Sequence, residues 1–138
     1  MSDTAPQNGR PIPRPSDFSR PFWEATKERK LLLQYCRDTG RYQFFGRPVS
    51  LFTGRRNLEW REASGKGKVY TFTVVHQPHT SAWNAHVPYI IGSIELDEGV
   101  RIMAHLVNCA PEAVTIGMRL RLTWSPRGEF NLPAFEPE

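Results

Sequence analysis

The sequence predicts a mainly β chain: a short N-terminal helix, a small ribbon-like module, then a five-stranded Greek-key barrel. Three observations carry this expectation. From residue 65 onward, β-branched and aromatic residues alternate in short runs separated by turn residues. Residues 31 to 54, "LLLQYCRDTGRYQFFGRPVSLFTG", lay out two tight turns, each closing on Gly. Residues 1–16 hold four of the twelve prolines and almost no large apolar group, so no element is expected there.

In chain order, residues 1–16 read as an extended, mobile arm. Residues 17–64 form a second unit, opening with a helix in "SDFSRPFWEATKERK". Ser19 is placed to cap it, and Pro21 sits early, where a missing N–H costs little. Phe22, Trp23, Ala25 and Thr26 supply an inward face. The basic end, Lys27 to Lys30, suits the negative pole of the helix dipole. "LLLQY" enters the ribbon as a strand and "NLEW" leaves it.

Residues 65–138 form the third unit. "GKGKVYTFTVVHQP" is a strand in which Tyr70, Phe72 and Val74 share one face and Val69, Thr71, Thr73 and Val75 the other. The loop "HTSAWNAHV" ends it. "PYIIGSIELDEGVRIMAHLVN" is a hairpin turning at "DEG". "APEAVTIG" is a short crossover, and "MRLRLTW" points Met118, Leu120, Leu122 and Trp124 inward. A last strand runs through "EFNLPAF". Five short strands with one crossover before the fourth close best into a barrel, which removes exposed edges. The OB fold has this strand count and size.

The chain has 138 residues, enough for one ordinary domain or a small domain with an appended module. No apolar run approaches the roughly 20 residues that span a bilayer, and no membrane association is expected. The N-terminus lacks the apolar core of a signal peptide. Two cysteines, Cys36 and Cys109, are too few for a disulfide framework. A cytoplasmic location is the expectation. The net charge of +4 is unevenly spread: residues 36–68 carry +5, whereas residues 69–138 carry −3.

The segments "PFWEATKERKLLLQYC", "LEWREASGKGKVYTFTVVHQP", "PYIIGSIELDEGVRIMAHLV" and "IGMRLRLTW" together resemble a known family. Its members are bacterial and archaeal acyl-CoA-associated proteins with an N-terminal helix, a rubredoxin-like zinc ribbon and a C-terminal OB fold. The resemblance covers roughly residues 17–135. It implies an accessory subunit assembled with a thiolase-like enzyme, the partner holding the catalytic groups. The family ribbon carries two Cys-x-x-Cys knuckles, which fall here on Cys36, Thr39, Ser50 and Thr53. Hydroxyls are poor zinc ligands, so the ribbon is degenerate and no metal is expected. Hydrogen bonds from Thr39, Ser50 and Thr53 are expected to hold the turns instead.

No catalytic residue is expected in the chain itself. It has no Gly-x-Ser-x-Gly, no phosphate-binding Gly loop and no carboxylate pair at useful spacing. His76, His79 and His86 form a thin metal-loop candidate without a nearby Asp or Cys. Arg37, Arg41, Arg47, Arg55 and Arg56 are candidates for the phosphates of a CoA thioester, because the planar guanidinium bonds two oxygens at once. Trp83, His79 and His86, on a long loop, are candidates for partner contact. Two functions follow. The first is a non-catalytic accessory subunit of a thiolase, acyltransferase or aldolase complex, stabilising its partner and helping to form the acyl-CoA site. The second is an OB-fold binder of single-stranded nucleic acid, which the acidic barrel segment disfavours.

Overall fold

The computed structural model describes residues 9–138. Helix α1 (Arg20–Thr26) starts after Ser19 with Pro21 in its first turn, as expected. The capping hydroxyl behaves differently. Ser19 Oγ makes no bond into the helix. It accepts from the Ser16 N–H at 2.9 Å, while Ser16 Oγ accepts from the Ser19 N–H at 3.2 Å. The basic end also lies past the helix. Lys27 reaches Glu129 at 2.9 Å and Glu24 at 3.2 Å rather than the terminal carbonyls. Phe22 and Thr26 are the buried residues of α1. Asn131 donates to the Thr26 carbonyl at 2.9 Å and ties the helix to the far end of the chain.

The ribbon module is a three-stranded antiparallel sheet. Its strands are β1 (Leu32–Cys36), β2 (Arg41–Gln43) and β3 (Leu58–Glu62), in the order β2-β1-β3. Strand β2 has only three residues, too few for alternation to show in the sequence.

The remaining strands are β4 (Lys66–Val75), β5 (Tyr89–Leu96), β6 (Arg101–Leu106), β7 (Arg119–Arg127) and β8 (Phe130–Pro137). They close into a barrel in the order β4-β5-β6-β8-β7, with β7 returning to β4. Only β6 and β8 pair in parallel. A 3-10 turn at Pro111–Ala113 makes the crossover. This is an OB fold, mainly β as the sequence predicts.

One expected phase is wrong. In β4 the register shifts between Val69 and Thr71, so Tyr70 is left unpaired and partly exposed. The extra residue brings Val69, not Tyr70, onto the core side with Phe72 and Val74. A bulge of one residue reverses the facing of everything beyond it, and strict alternation cannot foresee it. In β7 the expected inward set holds: Leu120 is fully buried, and Met118, Leu122 and Trp124 pack against the core.

A single apolar cluster runs from Phe22, Leu31, Leu33 and Ala63 into Val69, Ile94, Leu120 and Phe135. The ribbon sheet therefore shares its core with the barrel. No helix among the described residues is long and apolar enough to cross a membrane.

Candidate functional site

The two knuckle turns come together at Cys36. Ser50 Oγ donates to Cys36 Sγ at 3.1 Å and accepts from the Phe52 N–H at 3.1 Å. Thr39 Oγ1 accepts from the Arg41 N–H at 3.3 Å, and Thr53 Oγ1 from the Arg55 N–H at 3.1 Å. Each turn is closed by a backbone bond, Gly40 N–H to Cys36 and Gly54 N–H to Ser50. Burial pushes the Cys36 thiol up. Hydrogen bonds from the Ser50 and Thr39 side chains and from the Thr39 and Asp38 backbone outweigh it and bring the thiol down to about 7.

This donor set does not fit zinc. One thiol faces hydroxyls that are already engaged with backbone or with the thiol itself. Among the described residues no three His, Cys, Asp or Glu side chains converge as metal ligands, and this includes the histidine loop. Beneath the turns lies a buried amide pair. Gln43 Nε2 donates to Gln34 Oε1 at 2.9 Å, and Gln34 Nε2 donates to the Arg47 carbonyl at 2.9 Å. The Arg47 N–H returns a bond to Gln34 Oε1 at 3.1 Å, and the Leu51 N–H gives one to Gln43 Oε1 at 2.8 Å. Hydrogen bonds thus tie the two turns of the ribbon together from beneath.

The five candidate arginines are all exposed on this module, but they are not equally free. Arg37 bonds Glu59 at 2.8 Å, and Arg61 bonds the other oxygen of the same carboxylate. Glu59 is held below its ordinary range, chiefly by the hydrogen bond from Arg37 and then by that from Arg61. Arg55 lies 3.8 Å from Asp38, and Arg41 lies 4.1 Å over the ring of Phe52. Among the described residues, Arg47 and Arg56 have no carboxylate partner.

A second site lies where α1, the ribbon and β6 meet. Phe22, Trp23, Phe44, Phe45, Ile102 and Met103 line an open apolar cleft of about 300 Å³. Its rim is exposed: Phe45 at 67% and Met103 at 75%. Phe45 is also held at φ +68°, a left-handed conformation that a bulky side chain rarely adopts. Gly46 beside it is required, because a Cβ there would collide with the Phe18 carbonyl.

The third site is the aromatic end of the barrel. The loop's 3-10 turn, Ser81–His86, folds Trp83 inward, where its ring stacks on His105 at 5.1 Å with only 11° between the planes. Tyr89 and His86 flank it at 4.9 and 5.6 Å. Of the three loop residues expected to meet a partner, Trp83 and His86 therefore build a cavity wall, and His79 stands exposed. The described part of the expected arm lies across this end. The Pro11 carbonyl accepts from Arg127, and Ile12 packs on Gly128 so closely that a Cβ there would meet it at 3.0 Å.

The sequence reading missed Arg127, Arg10 and His105. On β6, His105 follows the outward phase of Arg101 and Met103, and Arg127 sits beside a Gly-Glu turn. Both read as surface residues until the loop and the N-terminal segment cover them.

Together these features define an OB-fold barrel with a hydrogen-bonded ribbon and an apolar cleft with an exposed rim. Residues 60–125 match the family model described as "ChsH2, C-terminal OB-fold domain". A "DUF35 domain-containing scaffold protein" of Methanocaldococcus jannaschii is 42% identical over 101 residues, covering 71% of this chain and 70% of that one. A protein of the same description from Pyrococcus furiosus is 32% identical over 118 residues, covering 86% and 85%. A "probable enoyl-CoA hydratase alpha subunit" of Thermomonospora curvata is 35% identical over 128 residues; these cover 91% of this chain but only 40% of that subunit. Among solved structures, a chain described as "Ltp2-ChsH2(DUF35) aldolase" superposes with a TM-score of 0.82 at 32% identity, covering 91% of this chain and 98% of that one. The chain belongs to the family of DUF35 domain-containing scaffold proteins.

Proposed function

We propose that this chain is a non-catalytic scaffold subunit of a thiolase-like enzyme acting on an acyl-CoA or related thioester. The observation that carries the reading is the apolar cleft with its exposed rim of Phe45 and Met103. Large exposed apolar side chains around a preformed cleft mark an interface. The strained backbone at Phe45 supports this, because such strain persists where the surroundings hold a side chain for use. Relatives described as scaffolds, as a hydratase alpha subunit and as part of an aldolase support a role as a subunit beside an enzyme partner. In this reading the partner performs the carbon chemistry, and Arg47 and Arg56, free of carboxylates among the described residues, meet the CoA phosphates.

The nucleic-acid reading has weaker support. On the barrel, Arg119 pairs with Asp97 at 3.2 Å and Arg121 with Glu136 at 2.9 Å, so these two outward cations of β7 are already neutralised.

The test is affinity capture from the source cells with quantitative mass spectrometry, using the wild-type chain beside Met103→Glu and Phe45→Glu. A thiolase-like protein in stoichiometric yield, lost from both variants, is the expected result. Recovery of the wild-type chain alone, or retention by both variants, would sink the reading.

A further inference from the structure

The aromatic end of the barrel buries positive charge that no carboxylate among the described residues offsets. Arg127, the last residue of β7, is only 3% exposed. Its Nη1 donates to the Pro11 carbonyl at a long 3.4 Å, and its Nε has no partner. The Nε of Arg10 is likewise buried without one. Both guanidinium groups stand over Trp83, at 5.6 and 5.5 Å from the ring centre. An arginine is almost never fully buried unless paired, and an unsatisfied buried N–H costs free energy. Cation–π contact recovers part of that cost but leaves the N–H groups unfilled.

These groups border a cavity of about 190 Å³ whose wall also carries Tyr89, Val107, Leu132 and Pro133, together with the polar Ser125 and the imidazoles of His86 and His105. An apolar cavity of about 150 Å³ is enough to hold benzene. There is therefore room for a ring carrying a charged group, among lining residues that include both the cations and the aromatic rings.

We propose that this cavity is a binding site for a small planar carboxylate, its charge held by Arg127 and Arg10 and its ring held by the aromatic and apolar wall. The site lies within one chain and is independent of the partner reading. A carboxylate matches the guanidinium fork in a way that chloride or a neutral amide does not. His105 reports on occupancy. Burial first, and then the charges of Arg127 and Arg10, hold its pKa below the ordinary histidine value. The titratable or charged groups around it are Arg10 from the N-terminal segment, His86 from the loop, Tyr89 from β5 and Arg127 from β7. β8 brings only neutral Leu132, Pro133 and Ala134. A bound carboxylate cancels the two cations and raises the His105 midpoint.

The experiment is an NMR titration of the full chain with benzoate, benzamide and inorganic phosphate, following the His105 imidazole and Trp83 indole signals. Benzoate should saturate these signals and raise the His105 midpoint, whereas benzamide should do neither and phosphate should bind more weakly. Arg127→Met, close in length but uncharged, should weaken benzoate about ten-fold or more while the backbone spectrum stays folded. If that variant does not fold, Arg10→Met makes the same test from the segment outside the barrel, with a smaller loss expected. Equal binding of benzamide overturns the charge assignment, and equal binding of phosphate overturns the planar one. Undiminished binding by the folded arginine variant, or no binding of benzoate at all, removes the site.

Discussion

The ribbon and the barrel rest on opposite kinds of interior. The barrel is held by Val69, Ile94, Leu120 and Phe135, side chains with no polar atom to satisfy. Beneath its knuckles, the ribbon buries Gln34, Gln43, Ser50 and Cys36, and each is engaged by a specific hydrogen bond. Apolar packing tolerates modest change in shape, whereas a buried polar network loses stability whenever one member is left unpaired. The ribbon is the more brittle of the two, even though Leu31 and Leu33 root it in the barrel's core.

The largest effect should come from the barrel. Phe135 is fully buried, and Phe135→Ala should cost about 3–5 kcal/mol by transfer and cavity terms. Urea denaturation followed by far-UV circular dichroism would measure it. Because one core serves both modules, the loss should appear in a single transition; two transitions would show that the modules unfold separately.

Gln43→Ala should cost less, about 1–3 kcal/mol, by stranding the Leu51 N–H and removing the donor that serves Gln34 Oε1 and the Val49 carbonyl. The same denaturation experiment applies, with hydrogen exchange at the Leu51 amide as the local readout. Slow exchange at that amide in the variant would show that the glutamine pair is not what secures the second knuckle.

The smallest effect is a pH dependence confined to the ribbon. The folded Cys36 thiol ionises near pH 7, below its ordinary 9, so the folded state favours the thiolate. That contribution is complete above about pH 9 and is lost as pH falls through about 7. The melting temperature of the wild type minus that of Cys36→Ser should therefore grow between pH 7 and 9. A constant difference across that range would mean that the Ser50 and Thr39 hydroxyls do not stabilise a thiolate.

Much of this architecture is legible in the sequence because it is written locally. Alternation in "MRLRLTW" names Leu120 and Leu122 as core. The spacing of Cys36, Thr39, Ser50 and Thr53 outlines two turns whose hydroxyls do bond the backbone. The "DEG" turn is a real hairpin, with Gly99 at φ +92°. Two features escaped. The bulge at Tyr70 comes from how β4 must bend to close the barrel, and "VYTFTVV" alternates as well without it. The cationic cavity escaped because alternation only tells which side of a strand a residue takes, not what later covers that side.

The sequence by itself determined the class of fold, the phase of β7 and the two hydroxyl-bonded turns of the ribbon, since these depend on neighbours a few residues apart. Only the tertiary structure decided that Trp83 turns inward onto His105, and that Arg127 is buried beneath a carbonyl 116 residues away at Pro11. Burial of an outward-facing strand residue depends on which distant segment the closed barrel brings across it, and no local pattern encodes that.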